Sequence, residues 1–178
     1  RDVAPSRGLG DVYKRQDKSS EISVKLANEL AIAFRKKRNY DKAYLFYKEL
    51  LQKAPNNVAY LESCAEMQVC RGQEKDALRM YEKILQLEAD NLAANIFLGN
   101  YYYLTAEQEK KKLETDYKKL SSPTKMQYAR YRDGLSKLFT TRYEKARNSL
   151  QKVILRFPST EAQKTLDKIL RIEKEVNR

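Results

Sequence analysis

Apolar residues in this chain recur on two scales. On the shorter scale they return every three or four positions, the spacing of one face of an α-helix. Between residues 20 and 36, for example, they stand at Ile22, Leu26, Leu30 and Phe34, with polar residues between them. This spacing predicts an amphipathic helix, and the same pattern continues to the end of the chain.

On the longer scale the pattern has a period of about 34 residues. The spacing of Ala43, Tyr47, Leu50 and Leu51 returns at Ala77, Tyr81, Ile84 and Leu85, and again at Ala146, Leu150, Val153 and Ile154. The first step is 34 residues (77 minus 43) and the second is 69 (146 minus 77), or about two periods. A period of 34 is typical of paired antiparallel helices, so one further pair is predicted in between.

This period divides the chain into four predicted helical hairpins and one last helix. The boundaries are residues 1–19 for an arm that is non-native or disordered, 20–57, 58–91, 92–125 and 126–160 for the hairpins, and 161–178 for a capping helix. Residues 1–16, within this N-terminal arm, end in Asp-Val-Tyr-Lys-Arg-Gln, which looks like translated adapter sequence. Stops are predicted at Pro55, Pro123 and Pro158, and a turn at Gly72.

The third hairpin is irregular. Strict spacing would place Lys111 where Ala43 and Ala77 pack, so a register shifted by two residues is preferred, with Leu113 at the packing position. A longer turn is predicted before it, with a capping box from Thr105 to Gln108. Because leucine is larger than alanine, the two helices of this hairpin are expected to lie further apart. A weak turn at Thr140 and Thr141 is predicted in the fourth hairpin.

Composition narrows the function classes. The 178 residues include 36 Lys and Arg against 24 Asp and Glu, a net charge of +12, which brings nucleic acid, anionic lipid and acidic proteins into consideration. No histidine is present, which excludes His-based catalysis and His-ligated metal sites. Cys64 and Cys70 lie six positions apart on one predicted helix and cannot form a local disulfide. No apolar run is long enough to span a bilayer.

Three features of the repeats carry a family resemblance. They are a small residue at one position of each first helix, an alanine in the second helices, and a proline after the second helices. The small residues are Ala31, Ala65, Gly99 and Gly134. The chain resembles the tetratricopeptide repeat (TPR) proteins, which implies an all-α fold: a right-handed α-solenoid of four hairpins plus a C-terminal capping helix. It departs from the family in having Gln68 and Lys137 at an aromatic position, Leu113 for alanine, and no tryptophan.

The resemblance also implies a binding surface. First helices of the family line a concave groove that holds an extended peptide or a partner helix. Carried onto this chain, the partner-binding groove is Asn28, Ile32, Arg35, Glu62, Glu66, Ile96, Asn100, Tyr103, Tyr128, Tyr131, Arg132 and Leu135, with Lys25 and Val69 on the same stripe. The carboxylate clamp of the chaperone-binding subgroup is not expected, because Asn28 and Ile32 replace its Lys and Asn.

The prediction is therefore a non-enzymatic scaffold for protein or peptide partners, with no catalytic residue, cofactor or metal. Two alternatives stay open: a bacterial envelope assembly or oligomerisation module, from a similarity that begins at Arg142, and a basic RNA-binding solenoid. Nucleic acid is disfavoured because Glu62 and Glu66 would lie where phosphates run. The compartment is cytoplasmic by default, and an envelope location stays open because the native N-terminus is expected to be missing. Homo-oligomerisation is also left open.

Overall fold

The structure is a computed structural model that describes residues 7–177, with side chains from Ser20 onward. These residues contain helices and connecting turns and no strand. The helices are α1 (Arg7–Lys36), α2 (Tyr40–Lys53), α3 (Val58–Cys70), α4 (Glu74–Leu87), α5 (Leu92–Lys118), α6 (Lys125–Leu138), a π-helical turn (Phe139–Tyr143), α7 (Glu144–Arg156) and α8 (Thr160–Val176). One compact unit ends at Met80 and a second begins at Tyr81, within α4. The all-α fold class is confirmed.

Repeated turn chemistry sets the helix boundaries of the early repeats. The side chains of Asn39, Asn57 and Asn91 each accept a hydrogen bond from the backbone N–H three residues later, and so cap α2, α3 and α5. Arg38 and Gly72, which lie 34 residues apart (72 minus 38), both have positive φ, 57° and 74°. Glycine adopts this conformation at little cost, whereas arginine is strained in it. The turn geometry therefore repeats with the same period as the apolar residues.

Alanines bring α1 and α2 together in the first unit. Ala27, Ala31 and Ala43 are buried with Tyr47 and Leu50 in one core cluster. The spacing had predicted a buried stripe through Ile22 and Leu26, but these two side chains are more than half exposed. This part of the prediction is wrong, because α1 turns its small residues toward α2 where the two backbones approach closely.

The first helix also begins earlier than predicted. Its backbone is helical from Arg7, whereas a start at Ser20 was predicted and residues 1–19 were assigned to an arm that is non-native or disordered. For residues 7–19 the disordered reading is wrong. Residues 7–19 contain no proline, so no residue in this stretch lacks the backbone N–H that a helix interior needs. Residues 1–6 of the predicted arm lie outside the described residues.

The second unit contains one long helix where a hairpin was predicted. α5 continues without a break from Leu92 to Lys118, so the predicted turn near Thr105 is wrong. The Thr105 hydroxyl does not cap a helix; it donates to the backbone oxygen of Tyr101, at 2.8 Å, inside α5. The real capping box lies at Thr124 and Gln127, at the start of α6. The same Thr-x-x-Gln pattern caps a helix at Thr124 because Pro123 directly before it lacks the backbone N–H that a continuing helix would need, so a new helix begins there.

The predicted turn at Thr140 and Thr141 is also wrong. The backbone stays helical from α6 through the π-helical turn into α7, where the N–H of Glu144 donates to the carbonyl of Phe139, five residues back. The hydroxyls of Thr140 and Thr141 donate to the Lys137 carbonyl at 3.0 and 2.8 Å, one turn back in this continuous helix.

The apolar spacing along α6 and α7 explains the π-helical turn. Apolar residues facing α5 are spaced by three and four residues on both sides, but by five between Leu138 and Tyr143. A regular α-helix would place Arg142 against α5 at this step. One extra residue in the turn instead brings Tyr143 inward, where it is buried. The two long helices therefore pack along one continuous seam.

This antiparallel pair replaces the two predicted hairpins of residues 92–125 and 126–160. Gly99 of α5 lies against Leu150 of α7, and Leu113 of α5 lies against Gly134 of α6. Leucine at position 113 was expected to hold two helices apart; it instead packs opposite a glycine. α8 packs on α7 through a buried apolar face that begins at Ala162, as predicted for the last helix.

Candidate functional site

In the first unit, the predicted binding stripe contains an ion pair between α1 and α3. The guanidinium of Arg35 donates to the carboxylate of Glu66 at 2.6 Å, and both side chains remain partly exposed. The two charges compensate each other at the surface, so the negative charge of Glu66, which was expected to disfavour nucleic acid, is balanced by Arg35. A pair this exposed stabilises the fold by at most about 1 kcal/mol. Its main effect is to fix the position of two candidate binding side chains.

Apolar side chains flank this ion pair. Ile32 of α1 is 38% exposed, and Val69 of α3 is exposed to a similar degree. Asn28 and Glu62 are half-buried on the same two helices. The first unit therefore presents an amphipathic surface, here called the α1–α3 face and defined as Asn28, Ile32, Arg35, Glu62, Glu66 and Val69.

In the second unit, two predicted binding tyrosines take part in helix packing. The ring of Tyr103 lies edge-on to Tyr143, with centroids 6.4 Å apart, and Tyr131 stacks on Tyr117 at 4.5 Å. Burial raises the pKa of both Tyr103 and Tyr131, and nearby carboxylates add to the effect. These rings lie in the seam between α5 and the α6–α7 helix.

Arg132 holds the end of the last helix. Its guanidinium donates to the backbone oxygens of Glu175 and Val176 at 3.0 and 2.9 Å. These are carbonyls of the final turn of α8, which have no partner within the helix. The remaining predicted residues of this unit are exposed or half-buried: Ile96, Asn100, Tyr128 and Leu135. The second unit does not present its predicted residues as hairpin first helices, since α5 and α6 belong to the same antiparallel pair.

The two thiols lie in different environments. Cys64 is fully buried, and burial raises its pKa to about 12, so it is neutral at physiological pH. Cys70 is exposed, and the two cysteines are not bonded to each other, as predicted. A thiol with such a high pKa is a poor nucleophile. Among the side chains that the structure describes, from Ser20 to Asn177, no group of three or more acidic or cysteine side chains gathers in a way that could hold a metal ion.

A cleft on the second unit was not predicted from the sequence. It has a volume of about 320 Å³ and lies on one side of the α5–α6 seam, over Leu113, Gly134 and Leu138. Sequence analysis assigned this region to a separate hairpin, so these residues were not placed on one surface. The available signal was the unbroken helical spacing through Thr105, with no glycine or proline there.

Hydropathy gives one further finding. Among the residues that the structure describes, no helix combines the length and apolar character that crossing a bilayer requires.

Comparison with known proteins supports this description. The tetratricopeptide repeat family matches residues 29–57 and 128–160. A crystal structure of a candidate protein-binding protein from Bacteroides ovatus ATCC 8483 is similar at 94% identity and a TM-score of 0.82, with 89% of this chain and 77% of that chain covered. No curated protein matches the chain.

Two crystal structures of MamA are more distant. They are 19% and 22% identical, with TM-scores of 0.44 and 0.42. The matches cover 86% and 82% of this chain, and 90% and 95% of the MamA chains.

The first family match covers the end of α1 and all of α2, and the second covers most of α6 and all of α7. The 94% identity to a protein from Bacteroides ovatus indicates that this chain is of bacterial origin. The 34-residue period, the repeated asparagine caps and these two matches agree, and the chain belongs to the tetratricopeptide repeat proteins.

Proposed function

We propose that this chain is a non-enzymatic scaffold that binds an extended peptide segment of a partner protein on the α1–α3 face. The repeat family and the Bacteroides relative support a protein-interaction role in general. The observation that carries the more specific proposal is the ion pair between Arg35 and Glu66, with exposed Ile32 and Val69 beside it.

This arrangement suits a peptide better than a small ligand. The surface offers apolar contacts and charged groups that are already fixed in place, so little conformational entropy is lost when a segment binds. Arg35 can donate to a peptide carbonyl or carboxylate while it keeps its bond to Glu66, because a guanidinium has five N–H groups. The nearby Cys64 is buried and neutral, so it offers no reactive thiolate to a ligand on this face.

Peptide display on the purified chain tests the proposal. Selected peptides would be synthesised, and their affinities measured by fluorescence anisotropy. Ile32→Asp is expected to weaken binding at least about tenfold, because it places a charge in the apolar contact. The control is Leu45→Asp, on an apolar side chain of α2 that is 62% exposed, which is expected to change affinity less than about twofold.

A charge exchange separates binding from folding. Arg35→Glu combined with Glu66→Arg restores the ion pair and therefore the fold, but reverses the charges offered to a ligand. Selected peptides are expected to bind the single and the double variants weakly. Peptides that bind the Ile32→Asp variant and the exchanged variant as tightly as the native chain would contradict the proposal.

A further inference from the structure

The outer part of the long helical pair has very little core. Residues 107–137 comprise the end of α5, the connection to α6, and nearly all of α6. From here on, 'the arm' means these residues and not the predicted N-terminal arm of residues 1–19. None of the residues of the arm is fully buried, although the same two helices bury Ala106 and Leu138 at its base. Regions with few buried apolar contacts have low local stability. A second helix packed along the arm would supply the missing contacts.

One side of the arm has an apolar floor. The cleft of about 320 Å³ is bounded by Leu113 from α5 and by Gly134 and Leu138 from α6. Gly134 makes the cleft deeper, because it places no side chain between the two helices. Clefts of this size lie at the lower end of those that hold ligands, and they match one or two bulky side chains from a helix lying in a groove.

Among the residues that the structure describes, the two acidic side chains on the rim of this cleft are paired within the chain and the two basic ones are not. Four charged side chains stand on it: Glu109, Lys112, Asp116 and Lys137. The two acids have partners within the chain, since Glu109 pairs with Arg142 and Asp116 pairs with Lys119 at 3.3 Å.

The two rim lysines, Lys112 and Lys137, form no ion pair with any residue that the structure describes. The arm as a whole has nine basic and five acidic residues. Charge complementarity therefore favours an acidic partner over a second copy of this chain, whose arm has the same positive charge.

We propose that the arm cleft binds an acidic amphipathic helix of a partner protein. The helix places an apolar side chain over Gly134 and its carboxylates beside Lys112 and Lys137. This site is separate from the α1–α3 face and does not depend on it. A nucleic acid fits less well, because the floor of the cleft is aliphatic. Tyr117 and Tyr131, whose rings could stack on bases, stack on each other and do not line the cleft.

The test uses a designed peptide of about 14 residues, roughly 21 Å long as a helix, which matches α6 in length. It has leucines on one face and glutamates on both sides, and a scrambled peptide of the same composition breaks the apolar face. Affinity is measured by fluorescence anisotropy at about 0.15 M ionic strength, where exposed charges are screened beyond roughly 8 Å. The designed peptide is expected to bind and the scrambled one to bind at least about tenfold more weakly.

Adjacent lysines provide the matched control. Lys112 lies on the cleft, whereas Lys111 is absent from its lining and borders a different surface of α5. Lys112→Glu with Lys137→Glu is expected to weaken binding of the designed peptide at least about tenfold, while Lys111→Glu changes it less than about twofold. Gly134→Leu, which fills the floor, is expected to weaken it as strongly; its helix content is checked by circular dichroism.

Four results would overturn the proposal. These are no binding of the designed peptide, equal binding of the scrambled peptide, equal losses for Lys111→Glu and for the double variant Lys112→Glu with Lys137→Glu, or tighter binding of single-stranded oligouridine that Gly134→Leu leaves unchanged. Analytical sedimentation of the chain alone tests whether a second copy of the chain occupies the cleft. A dimer that Gly134→Leu dissociates would assign the cleft to a second copy of the chain.

Discussion

Two glycines in the long helical pair allow a matched test of its packing. A Cβ at position 99 would lie 2.8 and 2.9 Å from two side-chain carbons of Leu150, closer than real Cβ atoms come. A Cβ at position 134 would lie 3.4 and 3.5 Å from Leu113, which is about an ordinary contact. Leu150 is only 2% exposed, so its side chain is enclosed by other residues of the protein.

The structure sets the sign and size of each effect. Replacing a helical glycine with alanine gains about 1 kcal/mol of helix propensity at both positions. Overpacking at position 99 costs about 1–3 kcal/mol. Gly134→Ala is therefore expected to stabilise the chain by up to about 1 kcal/mol. Gly99→Ala is expected to be neutral or to destabilise it by up to about 2 kcal/mol.

Urea unfolding followed by circular dichroism measures the difference. With a slope of about 1–3 kcal/mol per M, a change of 2 kcal/mol moves the midpoint by roughly 1 M. Combining Gly99→Ala with Leu150→Ala makes room for the new methyl group. Leu150→Ala alone is expected to cost about 2–5 kcal/mol, and the double variant less than the sum of the two single losses. Equal midpoints for Gly99→Ala and Gly134→Ala would refute the close approach of α5 and α7.

Three further predictions follow from individual side chains. Burial, followed by hydrogen bonding to a carboxylate, raises the pKa of Tyr102 and of Tyr143 above the ordinary value of 10.0, so their stabilising effect is complete below pH 10 and is lost as the pH rises above it. The free energy of unfolding, measured in urea, is expected to fall above pH 10, and less steeply in phenylalanine variants; an unchanged slope would contradict this. Cys70 is expected to react with a thiol reagent at pH 8 while Cys64, with a pKa of about 12, does not; labelling of both thiols in the folded chain, seen by mass spectrometry, would contradict the buried position. Arg132→Ala is expected to speed hydrogen exchange in the last turn of α8, because two of its carbonyls lose their donor; unchanged exchange there would show that the contact is not formed in solution.

Much of the early chain could be predicted from its sequence. Second helices that contain Ala43 and Ala77 end near the predicted positions, and Gly72 lies in the predicted turn. Periodicity was sufficient there because local turn chemistry, in the form of asparagine caps and residues with positive φ, agrees with the apolar pattern. The exposed position of Ile22 was missed, since spacing alone does not say which face of a helix the next helix covers.

The second half shows the limit of a repeat pattern. Leu113 was placed by comparison with Ala43, although no glycine, proline or cap separates it from the helix before it. A helix continues until something ends it, and Thr105 cannot do so alone. Similarly, a turn was predicted at Thr140 and Thr141, but a π-helical turn there accommodates one extra residue without reversing the chain. The arm and its cleft follow from these two continuous helices.

The distance between residues 126 and 155 tests these continuous helices most directly. Met126 and Leu155 are 65% and 86% exposed, so each can be replaced by cysteine and spin-labelled in a chain in which Cys70 is changed to serine. Cys64 is buried and remains unlabelled. Over 29 residues (155 minus 126), a continuous helix of 1.5 Å per residue gives a separation of about 43 Å by pulsed electron resonance. A hairpin turning at Thr140 would place these residues side by side, with helix axes about 10 Å apart. A single short distance would contradict the long helical pair, and with it the arm.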